Sequence, residues 1–407
     1  MFGINRIQIV FIFLLVVFCL LFFSAKIAAG GIIKNMSYAY MLSAVLLSMP
    51  YFFRKSDGFV LPVQMICISI LFSIIMSYFS WGQSFNYSIS VLPCLILLVF
   101  FYLLEKKIPL IIIEYIVLFY GFLYILLFFY QFTHSDTVYF GFRDEFEEDR
   151  GIIRILFPGA GVFYLGYFIA LNRVSEKNWL RWFLLTFLIL GIIVTVLQVT
   201  RQSIAFILII TVFHFIRKAS LFKKIAITVV FGASLIFAIN SDNPISRGLV
   251  ETQKETVSAG DKYIRISSGN YYLNDFSPNL LSRIFGNGMP NNTSAYGKFT
   301  SSLEINYGYY LTDVGFIGVY ALFGVFAVLG YLIIIVKSLL MTLPERFVYL
   351  KYYILLLGIT CLTTDALYSI HFMITNVFVF YGFQYLYEEN KLKSFIINKY
   401  KTIVNPR

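Results

Sequence analysis

The side chains able to do chemistry in this chain sit in a few polar breaks between long apolar runs. Arg201 lies in one of them, LQVTRQSIAF, with Gln198, Thr200, Gln202 and Ser203 beside it. At the mouth of two closely joined helices, a guanidinium offers a planar fork that takes two phosphate oxygens at once. The competing reading is an arginine that lays its stem on apolar surface and reaches for water. Arg265 lies in DKYIRISSGNYYLNDFSPNLLSRIFGNGMP, ahead of an apolar periodicity and the turn Gly286-Asn287-Gly288-Met289-Pro290. A helix closed by such a turn holds Arg265 rigidly for anion binding, against the alternative of a solvated loop charge. Arg283 in the same stretch is a further candidate for substrate contact.

Two carboxylates follow in SSLEINYGYYLTDVGFIGVYALFG. Glu304, beside Tyr307, Tyr309 and Tyr310, suits a general base or a ligand for sugar hydroxyls, with the rings stacking on sugar faces. The plain alternative is an acid at a helix N-terminus, where the macrodipole favours it. Asp313 falls inside an apolar run, where an ionisable group is costly and is paired or functional. Asp365, in TTDALYSIHF, resembles it more weakly, and Glu114 reads as structural.

Little else in the chain offers chemistry. Cys19, Cys67, Cys94 and Cys361 all lie in apolar runs and read as packing residues, not a disulfide framework. His134, His214 and His371 are far apart and show no metal-ligand spacing. The acidic block Asp144, Glu145, Glu147, Glu148 and Asp149 reads as a solvated charge run. No metal and no cofactor is expected. Triplets such as Asn291-Asn-Thr293 matter only in a eukaryotic secretory pathway.

The elements that position these groups follow from composition. Of 407 residues, 59% are hydrophobic and 13% charged, against about 25% charged in a soluble domain, which excludes a soluble fold. The apolar runs are continuous and predict an all-α polytopic membrane protein, not a β-barrel of short alternating strands. Twelve helices are expected, centred near Leu15, Ala44, Ile70, Leu95, Leu118, Val162, Leu188, Ile209, Phe231, Tyr320, Leu356 and Val377. Placing both termini in the cytoplasm puts most of the 32 basic residues on inside turns, as the positive-inside rule asks. The net charge of +11 is thereby an orientation signal and a contact with anionic lipid, with no nucleic-acid partner implied. The N-terminal run is read as an uncleaved helix, because its loss would invert this pattern. The chain divides into residues 1–239 with nine helices and an acidic outside loop at about 132–150, a large outside loop at 240–305, and residues 306–407 with three helices and a cytoplasmic tail. The aromatic content of the large loop points to a folded cap, not a disordered linker.

The arginine in TRQS, the late outside loop with an arginine before a Gly-x-Gly turn, and LTDVGFIG opening the next helix together resemble the bacterial O-antigen polymerase and ligase superfamily. The likeness is strongest over Leu197 to Gly330. Ligases of that group carry a His ahead of a Gly-x-x-Gly pair; here Gly315 and Gly318 hold the glycine places, while Glu304 and Ile305 stand where the ligase His and its neighbour would be. The departure favours a polymerase over a ligase. The resemblance implies a GT-C-like membrane fold in the bacterial inner membrane and a polyprenyl-diphosphate-linked oligosaccharide substrate. It also implies glycosyl transfer without metal, with a flippase and a chain-length regulator as partners. Arg201 and Arg265 are then the diphosphate ligands, Glu304 and Asp313 the catalytic carboxylates, and Tyr307 and Tyr309 substrate contacts. A flippase or transporter of the same lipid-linked unit is the rival reading. It lacks the matching halves and the charged spans that such transporters show.

Overall fold

The computed structural model describes residues 6–20, 31–134, 137–140, 146–149, 152–155, 158–176, 180–198, 201–217, 220, 222, 224–225, 229 and 263–404. Most of them are helical, because a long apolar run satisfies its backbone donors and acceptors within itself only by coiling. The helices are α1 (Arg6–Leu20), α2 (Ile32–Ser48), α3 (Val60–Trp81), α4 (Leu92–Leu95), α5 (Val99–Lys106), α6 (Leu110–Thr133), α7 (Ala160–Arg173), α8 (Arg181–Leu197) and α9 (Arg201–Arg217). They continue with α10 (Ile264–Asn274), α11 (Leu280–Phe285), α12 (Ala295–Tyr307), α13 (Phe316–Phe323), α14 (Val325–Leu340), α15 (Tyr349–Thr360) and α16 (Ile370–Val404). Eleven of the twelve expected centres fall in one of these helices; the ninth, near Phe231, lies outside the described residues, as does 240–262 of the large loop. Among the described residues, two helices are long and apolar enough to cross a membrane, α3 and α6, while α1, α8, α14 and residues Gln202–Arg217 are apolar but shorter.

Two expectations need correction. The helix expected around Leu95 is broken: 3-10 turns at Phe85–Val91 and Ile96–Leu98 flank α4, and Pro93 sits at the start of α4, where its missing N–H removes no helical bond. The helix expected around Tyr320 is cut into α13 and α14 by Gly324, whose φ of 80° and ψ of −175° only glycine adopts freely. At the end of the acidic outside segment, β1 (Phe146–Asp149) pairs antiparallel with β2 (Ile152–Ile155), which follows it, Glu147 standing opposite Arg154. Asp144 and Glu145 lie outside the described residues.

One continuous apolar core runs through the helices, and its large tyrosines each find an acceptor or polar partner for the hydroxyl, as burial demands. Tyr120 donates to Phe13 O (3.0 Å), Tyr331 to Leu367 O (2.9 Å) and Tyr353 to Asn376 Oδ1 (2.9 Å). Close helix contact is bought with small residues: Gly330 of α14 lies against Pro62 and Ile66 of α3, where an added Cβ would sit 2.9 Å from the Pro62 carbonyl.

The connecting turns gather at two ends. At one end Arg54 bonds Glu388 (3.2 Å), Lys337 Nζ donates to Gly58 O (2.6 Å), and Asp57 accepts from Lys391 and Tyr387. Those two donors hold the Asp57 carboxyl below its ordinary range. Asn172 Nδ2 joins the same end by donating to Arg346 O (2.7 Å). Every one of these residues belongs to a segment that the charge pattern assigns to the inside.

Nearby, Glu114 pairs with Arg173 and accepts from Tyr349 (2.8 Å), the two charged side chains being 1% and 7% exposed. Removing one partner of so deeply buried a pair strands the other charge. Glu114→Ala is therefore expected to cost about 3–5 kcal/mol, while Glu114→Leu combined with Arg173→Met recovers most of it. Thermal unfolding in detergent micelles checks this, and equal losses for the single and double variants contradict it.

Candidate functional site

The other end is built by a cap, residues 263–307, seated on α3. Its helices start and stop on local signals: Asn279 caps α11 by accepting from Ser282 N (2.9 Å), Ser294 caps α12 by accepting from Gly297 N (3.0 Å), and Gly308 closes α12 in the left-handed region. Trp81, at the end of α3, stacks on Tyr296 with ring centroids 4.6 Å apart and packs on Phe276 and Phe299. Gln83 is the polar fastener. Its amide nitrogen donates to Ser77 Oγ and Met289 O, and its oxygen accepts from Asn291 N and Ser294 Oγ, all within 2.8–3.0 Å.

The turn Gly286-Asn287-Gly288 enters the break between α13 and α14. Asn287 N donates to Ala321 O (3.0 Å), Gly288 N to Leu322 O (2.8 Å) and Trp81 Nε1 to the Asn287 side chain (2.7 Å). Carbonyls released by the broken helix thus regain donors.

Around the turn at 361–369, three separate segments meet. Phe316 N donates to Cys361 O (2.9 Å) and Tyr368 Oη to Leu311 O (2.9 Å), which fixes the LTDVG segment. Gly315, at φ 52°, is required there: a Cβ would lie 1.9 Å from the Cys361 carbonyl oxygen. Gln202 donates to Ile359 O (3.1 Å) and accepts from Thr363 Oγ1 (2.9 Å), so the TRQS segment docks at the same turn. Arg201 is the first residue of α9. Arg265, in the first turn of α10, reaches Asp313 at 4.0 Å.

Asp313 departs from its expected place within a span: it ends a 3-10 turn, Leu311–Asp313, ahead of α13, with its side chain 49% exposed. Glu304 also differs from the N-terminal placement weighed for it. It lies in the last turn of α12, half-buried, and burial pushes its carboxyl up. Among the described residues no cation pairs with Glu304. Tyr309 lies between Tyr307 and Tyr271, each centroid 5.6 Å away with the rings tilted by 32° and 42°, while Tyr307 is largely exposed. Arg283 donates to Asn274 O (2.6 Å), tying α11 to the end of α10, and so serves the cap's own structure.

A cavity of about 400 Å³ opens beside this cluster, lined by Lys34, Tyr38, Thr312, Asp365, Tyr368 and His371 among others. Burial pushes the Asp365 carboxyl up to about 6, against a bond from Ser369, and Asp313 adds to the rise. Sequence reading passed over Lys34, Tyr38, Tyr368 and His371, since they come from distant segments with no shared spacing. Among the described residues, no group of three or more His, Cys, Asp or Glu side chains is arranged to hold a metal ion. No family model matches the sequence, and no curated protein matches it.

Gln83→Leu leaves the Ser294 hydroxyl, the Asn291 amide and the Met289 carbonyl without their partner and is expected to unseat the cap. Limited proteolysis in micelles reads this as faster cleavage within 263–307; an unchanged cleavage rate refutes it.

Proposed function

We propose that this chain polymerises polyprenyl-diphosphate-linked oligosaccharides at the outer face of the bacterial inner membrane. The observation that carries the reading is that TRQS and LTDVG both bond at the 361–369 turn, and that Arg265 reaches Asp313 of LTDVG. These are the segments on which the resemblance to O-antigen polymerases rests, and they are distant in sequence. In this reading the chain has twelve spans with both termini cytoplasmic, a GT-C-like arrangement, and the capped end faces outward.

The chemistry asked of such a site is modest. The donor's leaving group is a diphosphate already anchored in the bilayer, so rate comes from cations placed where its charge develops. Arg201 and Arg265 supply them. The Arg265–Asp313 pair is 44% and 49% exposed, and an ion pair so open to water contributes little on its own. Asp313 therefore orients the guanidinium without competing strongly against a diphosphate. Glu304 and the Tyr307–Tyr309 pair offer a carboxylate and ring faces to the sugars, and the apolar outer surface of the helices accommodates the polyprenyl tails. The basic turns of the opposite end lie against the anionic inner leaflet.

Arg201→Ala and Arg265→Ala are each expected to lower polymer formation by about 100-fold or more at normal protein level. Lysine at either position recovers little, because it cannot offer the fork. Gels of surface glycan from complemented deletion strains check this; unchanged polymer in both alanine variants defeats the assignment.

Deleting the gene in its host tests the function itself. A polymer ladder that collapses to one repeat on its final acceptor supports the polymerase. Long chains left on the carrier lipid mean a ligase instead, and single units trapped on the cytoplasmic leaflet mean a flippase.

A further inference from the structure

The cavity beside the Arg265–Asp313 pair has features that the diphosphate chemistry does not use. Its walls come from five stretches of chain: Lys34, Tyr38 and Met41 of α2, Ser90, Pro93 and Cys94 around the broken helix, Met289 of the inserted turn, Thr312, and residues 365–371. All five are segments that the charge pattern puts outside. At about 400 Å³ it falls within the range of about 300–1,000 Å³ usual for small-molecule sites. Thr312 lines it and the next residue, Asp313, pairs with Arg265, so the cavity lies next to the Arg265–Asp313 pair. Glu304 is absent from its walls.

We propose that this cavity receives the acceptor sugar and that Asp365 takes the proton from the acceptor hydroxyl. The proposal rests on the polymerase reading above. The hydroxyl oxygen bonds to the donor's anomeric carbon as the bond from that carbon to the diphosphate oxygen breaks. The electron pair leaves with the diphosphate, whose charge the arginines meet, and the proton passes to the Asp365 carboxylate and then to water. Mixed walls suit a sugar: Tyr38 and Tyr368 offer rings, while Lys34, Thr312 and Ser369 offer polar contacts to hydroxyls.

The charged and titratable groups facing Asp365 are Asp313 from the LTD turn, Lys34 and Tyr38 from α2, Cys94 from α4, and Tyr368 and His371 from its own turn and α16. Burial and Asp313 raise the carboxyl to about 6, which makes it a stronger base than an ordinary aspartate while leaving it ionised at pH 7. Protonation on the acid side removes the base, so activity is lost as the pH falls through about 6.

The test uses right-side-out membrane vesicles from the deletion strain, loaded with its own accumulated lipid-linked units and carrying the full-length chain. Elongation is followed from pH 5 to 8. The wild-type rate is expected to fall about tenfold per pH unit below the midpoint. Asp365→Asn keeps a hydrogen-bond acceptor for Ser369 but is expected to lose about 100-fold or more in rate, with a flat acid side. Asp365→Glu regains part of the rate together with the acid limb. Ser90→Trp, which fills the cavity from its lip, is expected to raise the acceptor level needed for half-maximal rate without moving the pH midpoint.

Wild-type rate in Asp365→Asn overturns this inference alone, as does a slow variant that keeps the wild-type acid limb. Wild-type vesicles that extend nothing overturn the polymerase reading and this inference with it.

Discussion

The structure depends on one backbone accommodation, the insertion of Gly286-Asn287-Gly288 where Gly324 parts α13 from α14. A break in an apolar helix leaves carbonyls without donors, and in a hydrocarbon setting no water replaces them. Here the inserted turn supplies the donors, at 3.0 Å to Ala321 O and 2.8 Å to Leu322 O. The joint works in both directions: an added Cβ on Gly324 would meet the Ile284 carbonyl, and one on Gly286 would meet that of Leu322. Because neither chain can move without exposing the other's polar groups, the cap is locked to the helices by a pairing that lipid cannot replace. The position of Met289 in the cavity wall and the seating of α10, which carries Arg265, both follow from it.

A second constraint separates the two ends of the molecule. Charged contacts cluster at the end holding Arg54, Asp57, Lys337 and Lys391, while the capped end is fastened mainly by neutral amides, hydroxyls and rings centred on Gln83 and Trp81. Ion pairs at an exposed turn contribute little each and weaken with salt, but as a set they fix the spacing of the loops they join. At the capped end the Arg265–Asp313 pair stands as an ion pair between groups that remain open to water.

Much of the helical plan was legible because apolar runs of this length have one way to satisfy their backbones. The breaks were less so. Pro93 and Gly324 are single residues in runs that read as continuous, and what decides their conformation is the chain that packs beside them, such as the Ile284–Gly288 segment against Gly324. The site divides along the same line. Arg201 and Arg265 stood out because an arginine in a short polar break is conspicuous, and Asp313 because it sits in an apolar stretch. That Asp313 faces Arg265 is information carried by the fold alone, since 48 residues separate them. Lys34, Tyr38 and His371 had no signal, because each is ordinary in its own neighbourhood and becomes notable only on sharing a cavity. Arg283 shows the same limit: sequence marked its type and place, while its bond to the Asn274 carbonyl is visible only in the fold.

On the proposed reaction, the contrast between the two polar environments has a chemical logic. A leaving diphosphate needs cations that are charged at every pH and free to exchange partners, which favours exposed arginines over buried ones. A hydroxyl nucleophile needs a carboxylate whose proton affinity is raised yet not so far that it is neutral at pH 7, which favours partial withdrawal from water. The 361–369 turn sets Asp365 in the cavity wall and bonds the LTDVG segment, whose Asp313 meets Arg265 at the surface. Were Arg265 buried too, its charge would lower the Asp365 carboxyl and weaken it as a base; were Asp365 exposed, it would lose the burial that raises it. Keeping the two groups adjacent but unequally solvated lets one short turn serve both demands.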